Sequence, residues 1–107
     1  MQTDGEIRLR GMLGFAMRAG KVTVGTENVC NTLAKNKAML VLVCHDASLG
    51  TKKKLRTKCE FYKVELQEIL IETGELGRLL GKTYGPAAVA ITDGRFAKEI
   101  ADALATN

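Results

Sequence analysis

The side chains best equipped for chemistry are few, and the first group is His45, Asp46 and Ser48. They are the residue types of a hydrolase triad, yet neighbours in sequence cannot line up nucleophile, base and orienting carboxylate through successive hydrogen bonds. The G-x-S-x-G nucleophile elbow is also absent. A duller role, with Asp46 or Ser48 capping the helix that follows directly, fits the pattern better. Gly74-x-x-Gly77-x-x-x-Gly81 has the spacing of neither a dinucleotide fingerprint nor a Walker A loop. Glu72 and Glu75 are carboxylates without cleft residues beside them. Cys30, Cys44 and Cys59 share the chain with one histidine and form no C-x-x-C pair, which is poor material for zinc or for a secreted disulfide framework. They are expected to be reduced thiols acting as small apolar residues. The chain is therefore read as non-enzymatic, with no catalytic residue, no metal and no cofactor.

Binding chemistry is better represented, above all in residues 21–35. A helix N-terminus carries unpaired backbone N–H groups and a partial positive charge, and Gly25 removes the side chain that would keep a phosphate away. Glu27 and Asn28 fall in the first turn, where an amide can donate to a guanine O6 and a carboxylate can accept from a base N–H. The same residues also suit a plain helix start, with Thr26 as N-cap and Glu27 complementing the dipole by about 0.3 to 1 kcal/mol. Tyr84, in Lys82-Thr83-Tyr84-Gly85-Pro86, is either an ordinary half-exposed aromatic or a platform for an unstacked base. Lys52, Lys53, Lys54, Arg56 and Lys58 form either a solvated helix face or a set of phosphate contacts that would add affinity without reading sequence.

The elements that must hold these residues follow from periodicity. Residues 38–48, AMLVLVCHDAS, begin with an apolar run suited to a strand buried on both faces and end in a polar cluster at its carboxyl end, where open α/β sheets place ligands. Upstream, a helix opening at Asp4 or Gly5 offers Ile7, Leu9, Met12, Leu13, Phe15, Ala16 and Met17 as its apolar face and stops at Ala19-Gly20. A short strand over 21–24 and a helix to about Lys35 come next, the latter with Val29, Cys30, Leu33 and Ala34 inward. After the central strand, a helix from about Gly50 to Lys63 buries Leu55, Cys59 and Tyr62. A strand within 64–71, a helix opening at Thr73 with Leu76, Leu79 and Leu80 inward, a strand over 87–92 and a last helix bearing Phe96, Ile100, Ala103 and Leu104 complete the chain. Alternating strands and helices make an α/β fold with helices on both sheet faces.

At 107 residues the chain, 1–107, is expected to form one domain that buries roughly 60 to 70% of its unfolded surface. Hydrophobic residues make up 46% and charged ones 26%, which excludes disorder as the class. No apolar run approaches the roughly 18 residues of a membrane span, and MQTDGEIRLRG does not have the core of a signal peptide, so a cytoplasmic location is expected and no membrane partner. Residues 1–63 carry 12 Lys and Arg against 5 Asp and Glu, whereas residues 64–107 carry 4 against 7. A positive field concentrated in the first part most often serves a phosphate backbone.

In their order, LGFAMRAGKVTVGTENV, LVLVCHDAS followed by TKKKLRTKCEFYKV, and GELGRLLGK then VAITDGRFAKEI resemble the bacterial YlxQ-like branch of the kink-turn-binding ribosomal protein superfamily. Its relatives include the archaeal large-subunit protein seven-Ae and the eukaryotic protein thirty-e. The resemblance covers nearly the entire chain. It implies a three-layer α-β-α sandwich with a mixed central sheet and a non-catalytic, ribosome-associated role in binding structured RNA. The RNA it implies is a kink-turn, in which sheared G·A pairs beside a three-nucleotide bulge expose guanine edges that A-form RNA hides. Gly25, Thr26, Glu27 and Asn28 match the family's recognition turn, and Lys82, Thr83 and Tyr84 match the loop that receives bulged nucleotides. Relatives of the archaeal type place Asn before Glu, and a lysine is frequent where Asn31 stands here. Lys35, Arg18 and Lys21 are candidates to supply charge to phosphates. A protein-interaction module of the same fold, with weak or nonspecific RNA binding, is the alternative. Ribosomal proteins are the further partners implied, and nothing in the sequence demands more than a monomer.

Overall fold

A computed structural model describes residues 3–105. Helices α1 (Asp4–Arg18), α2 (Thr26–Ala34), α3 (Leu49–Tyr62), α4 (Thr73–Leu79) and α5 (Gly94–Ala105) are interleaved with strands β1 (Val22–Val24), β2 (Leu40–Cys44), β3 (Leu66–Ile69) and β4 (Ala88–Ile91). The strands form one sheet in the order β1-β4-β2-β3. β4 is antiparallel to both β1 and β2, and β2 is parallel to β3. The expected strands are present but shorter at their ends, and Met39 lies outside β2 and is exposed.

Every residue of β2 is buried, because successive side chains feed two different cores. Leu40, Leu42 and Cys44 join Val89 and Ile91 against Leu9 and Leu13 of α1, Leu76 of α4, and Ile100 and Ala103 of α5. Val41 and Val43 join Ala88 and Ala90 on the other face, against Val29 and Leu33 of α2 and Leu55 and Cys59 of α3. The small side chains of Ala88 and Ala90 leave α2 room to lie close on β4. The result is the three-layer α-β-α sandwich with a mixed sheet.

Helix boundaries have local causes. Thr3 accepts a hydrogen bond from the Glu6 amide at 3.1 Å and starts α1. At the other end, Lys21 N donates to Ala16 O and Gly20 N to Met17 O, a paired closure that needs the left-handed backbone of Gly20 (φ 73°). The same pairing ends α2 through Asn36, α3 through Lys63 and α4 through Gly81.

The expected apolar face of α1 needs correction. Leu9, Leu13 and Ala16 are buried, but Ile7 is 55% and Phe15 58% exposed. The apolar residues of α1 span more of its circumference than the sheet can cover, and the packed arc centres on Leu9 and Leu13. Ala34, expected inward on α2, is exposed as well.

Lys63 holds a left-handed conformation (φ 59°) that costs a side chain with a Cβ about 1 kcal/mol or more. Lys63→Gly is expected to raise the unfolding free energy by about 0.5 to 1 kcal/mol, read as a higher urea midpoint at unchanged slope.

Candidate nucleic-acid interface

The sheet topology sets which loops meet. β1, β2 and β3 run in one direction and β4 in the other, so the exits of the first three strands and the entry to β4 lie at one end. Backbone bonds lace that end together. Gly25 N donates to Ala88 O, Cys44 N to Ala87 O and His45 N to Ile69 O, each at 2.9 Å. Tyr84 lies four residues before Ala88, which is about 14 Å of fully extended chain. Gly25 and Tyr84 therefore share this end of the molecule.

Gly25 has φ 99° and ψ 145°, a backbone conformation that favours glycine. It, and not Thr26, is the N-cap of α2; Thr26 is the first helical residue. With no side chain on Gly25, α2 has no side-chain cap bond. The amides of Thr26, Glu27 and Asn28 also have no carbonyl to reach within the helix. Glu27 and Asn28 are exposed. The Asn28 side chain is oriented from behind, its Nδ2 donating to Val24 O at 3.0 Å. One amide hydrogen and Oδ1 remain for an outside group. Asn31, one turn further on, is exposed too.

The 82–86 loop is seated on α4 by two glycines. A Cβ on Gly77 would fall 2.1 Å from Tyr84 O, and one on Gly85 would fall 2.9 Å from the Thr73 carbonyl carbon. Lys82 N donates to Gly77 O at 2.8 Å. Tyr84 projects 55% exposed from this support, beside exposed Thr83 and half-buried Lys82. Of the three spaced glycines, Gly77 thus serves helix-to-loop contact, and Gly81 the left-handed stop of the helix.

The remaining basic candidates lie elsewhere. Lys21 O accepts from Thr92 N beyond the far end of β4, Arg18 closes α1 beside it, and Lys35 caps the far end of α2. The nine residues of α2 put about 13 Å between its two ends. Arg18 lies over the Phe15 ring at 4.9 Å from its centroid.

His45, Asp46 and Ser48 act separately. Ser48 accepts from Thr51 N at 3.1 Å and caps α3. The Asp46 carboxylate accepts from both Thr73 N and Thr73 Oγ1 at 3.1 Å, capping α4 from 27 residues away. The His45 carbonyl accepts from Lys52 Nζ at 2.6 Å, and that ammonium also pairs with Glu68 at 2.9 Å. This bond holds the Glu68 carboxyl below its usual range. Lys53, Lys54 and Arg56 are exposed. Burial, and secondarily the Asp46 charge, pushes the Cys44 thiol up to about 12; burial and then Cys30 push Cys59 up to about 11. Neither presents a reactive thiolate at neutral pH. Among the described residues, no group of His, Cys, Asp and Glu could hold a metal, and no helix is long and apolar enough to cross a membrane. A groove of about 220 Å³ between α1 and β3 is lined by none of the candidate residues.

Three features at this end escaped sequence reasoning. Leu49, the first residue of α3, is 83% exposed. The Asp46 cap joins segments 27 residues apart, and the Gly77 seat, although it joins α4 to the loop directly after it, rests on a backbone approach that residue types alone do not announce. Gly77→Ala should force the loop off α4, lowering stability by about 1 to 3 kcal/mol in urea titration and shifting the Tyr84 backbone amide resonance. Asp46→Ala should cost about 0.5 to 2 kcal/mol, with hydrogen exchange rising first in the opening turn of α4.

Residues 8–101 match the ribosomal protein L7Ae/L30e/S12e/Gadd45 family. The chain is 39% identical over 93 residues to the RNA-binding protein YlxQ of Bacillus subtilis, covering 87% of this chain and 91% of that protein. It is 28% identical over 85 residues to large ribosomal subunit protein eL30 of Spodoptera frugiperda, covering 79% and 75%. Among solved structures, a Bacillus halodurans protein of unknown function superposes with a TM-score of 0.85 at 28% identity, covering 92% of this chain and 97% of that one. A 15.5 kD RNA-binding protein of Giardia lamblia has the same fold, with a TM-score of 0.80 at 17% identity over 98% and 88%.

Proposed function

Since the chain belongs to the ribosomal protein L7Ae/L30e/S12e/Gadd45 family, we propose that it is a non-catalytic RNA-binding protein that grips a kink-turn, most naturally in ribosomal RNA and in the cytoplasm. The observation that carries this reading is the shared location of the glycine-opened start of α2 and the Tyr84 loop at one sheet end. A kink-turn offers two things within one helical bend: guanine edges freed by sheared pairs, and unstacked bulge nucleotides. Side chains cannot read the deep groove of ordinary A-form RNA, so only the bend makes the first reachable.

On this reading the open amides and positive dipole end of α2 approach a backbone phosphate. Asn28, held by Val24, presents its free Oδ1 and remaining N–H to a base edge. The Glu27 carboxylate is tolerated because it accepts from a base N–H, and it would repel a phosphate. Tyr84 stacks a displaced base, a contact indifferent to base identity. Lys82 adds charge beside it. Arg18, Lys21 and Lys35, about a helix length away, contribute only where an RNA stem runs along α2.

The alternative, a protein-docking module of the same fold that includes ribosomal proteins among its partners, is favoured by two features of the sequence. Asn31 stands where a cation would strengthen RNA contact, and Glu27 precedes Asn28. Gel shifts separate the two. Tight binding to a kink-turn and weak binding to a variant lacking the tandem G·A pairs supports recognition of the bend, whereas equal binding to both reduces the chain to general phosphate affinity. Asn28→Ala should cost about 1 to 3 kcal/mol on the kink-turn and far less on plain duplex. Tyr84→Ala should cost about 1 to 3 kcal/mol with little change in the salt slope, because stacking releases no counterions.

A further inference from the structure

Gly11 occupies the middle of α1, and an added Cβ there would meet nothing within 4 Å. Glycine weakens a helix interior, and no contact among the described residues accounts for its presence. The residues around it form an ordered set. Asp4, Ile7, Gly11, Phe15 and Arg18 are all exposed, and their spacing averages about 3.5 residues, which keeps them on one straight seam of the helix. Read backwards, the seam is its own chemical complement: acid against base, aliphatic against aromatic, glycine against glycine.

We infer that α1 pairs antiparallel with α1 of a second copy of this chain, crossing at Gly11. The glycines let the two backbones approach closely. About 6 Å from the crossing, Ile7 of each copy meets Phe15 of the other; about 10 Å from it, Asp4 meets Arg18. Arg18 is already laid over Phe15, so its guanidinium lies along the seam. The contact is isologous and closes after two copies. It covers the apolar surface that α1 otherwise gives to water.

The expected strength follows from size. A helix of 15 residues is about 22 Å long, and one such pair falls short of the roughly 1,000 Å² that a stable interface clears. The dimer is therefore weak and concentration-dependent, in contrast to the monomer expected from sequence. α1 begins at the sheet end that carries Gly25, since Thr3, Gly5 and Glu6 line one groove with Glu68, Ile69, Leu70 and Ile71. Antiparallel pairing thus points the two candidate interfaces in opposite directions and leaves both open. The inference does not depend on what those interfaces bind.

Sedimentation velocity from about 10 µM to about 1 mM protein, without RNA, tests it. The native chain should shift from monomer toward dimer across that range. Asp4→Arg and Arg18→Asp should each weaken association by about tenfold, and the double swap should recover most of the loss, because it restores the pairing in reverse. Far-UV circular dichroism verifies that each variant folds. Gly11→Gln should abolish the dimer while raising the thermal midpoint of dilute protein, a combination that misfolding cannot produce. A native chain that stays monomeric at the highest concentration overturns the proposal. So does an association indifferent to all three substitutions, or a double swap no better than the single ones.

Discussion

Burial of β2 on both faces is the constraint from which the rest of the architecture follows. Five consecutive side chains, Leu40–Cys44, are removed from water in alternate directions, and the burial of each leucine and valine among them is worth about 1.5 to 3 kcal/mol. Neither face can be left bare, so α1, α4 and α5 close one and α2 and α3 the other. A strand enclosed in this way also needs both edges satisfied, which β4 and β3 supply from opposite sides. The placement of loops is then determined by strand direction alone.

That determination gives the candidate interface an unusual character, because it is built more from backbone than from side chains. The open amides of α2 come from a glycine with no cap to offer, and the height of Tyr84 comes from two glycines that let the 82–86 loop sit down on α4. The polar residues at the exit of β2 work as fasteners. Asp46 ties the β2 exit to the start of α4, Ser48 starts α3, and Lys52 bridges the His45 carbonyl and Glu68. Residues resembling an enzyme's equipment are thus accounted for by the stability of the end they occupy.

Much of this was legible in the sequence wherever the cause is local. The apolar run of β2, the helical periods of α2, α3 and α5, and the stop residues Gly20 and Gly81 identify their elements correctly because each signal lies within a turn or two of its effect. The failures have a common origin in distance. Nothing near Ile7 or Phe15 says which arc of α1 the sheet will cover. Thr26 has the composition of a cap, but Gly25 takes that position through a φ that its cross-strand bond to Ala88 helps hold in place. The nearness of Gly25 to Tyr84 depends on pairing β1 with β4 across most of the chain, which periodicity cannot report and family resemblance can only imply.

The seating of the 82–86 loop has a thermodynamic consequence. Gly77, Gly85 and the Lys82 amide fix that segment in the free protein, so no chain need condense when a partner arrives. An association of this kind carries little ordering entropy on the protein's side, and its heat-capacity change reports surface matched to surface with only a small contribution from folding. Whatever strain accompanies complex formation then falls on the partner, and calorimetry of this small sandwich would serve as a gauge of how costly that partner is to deform.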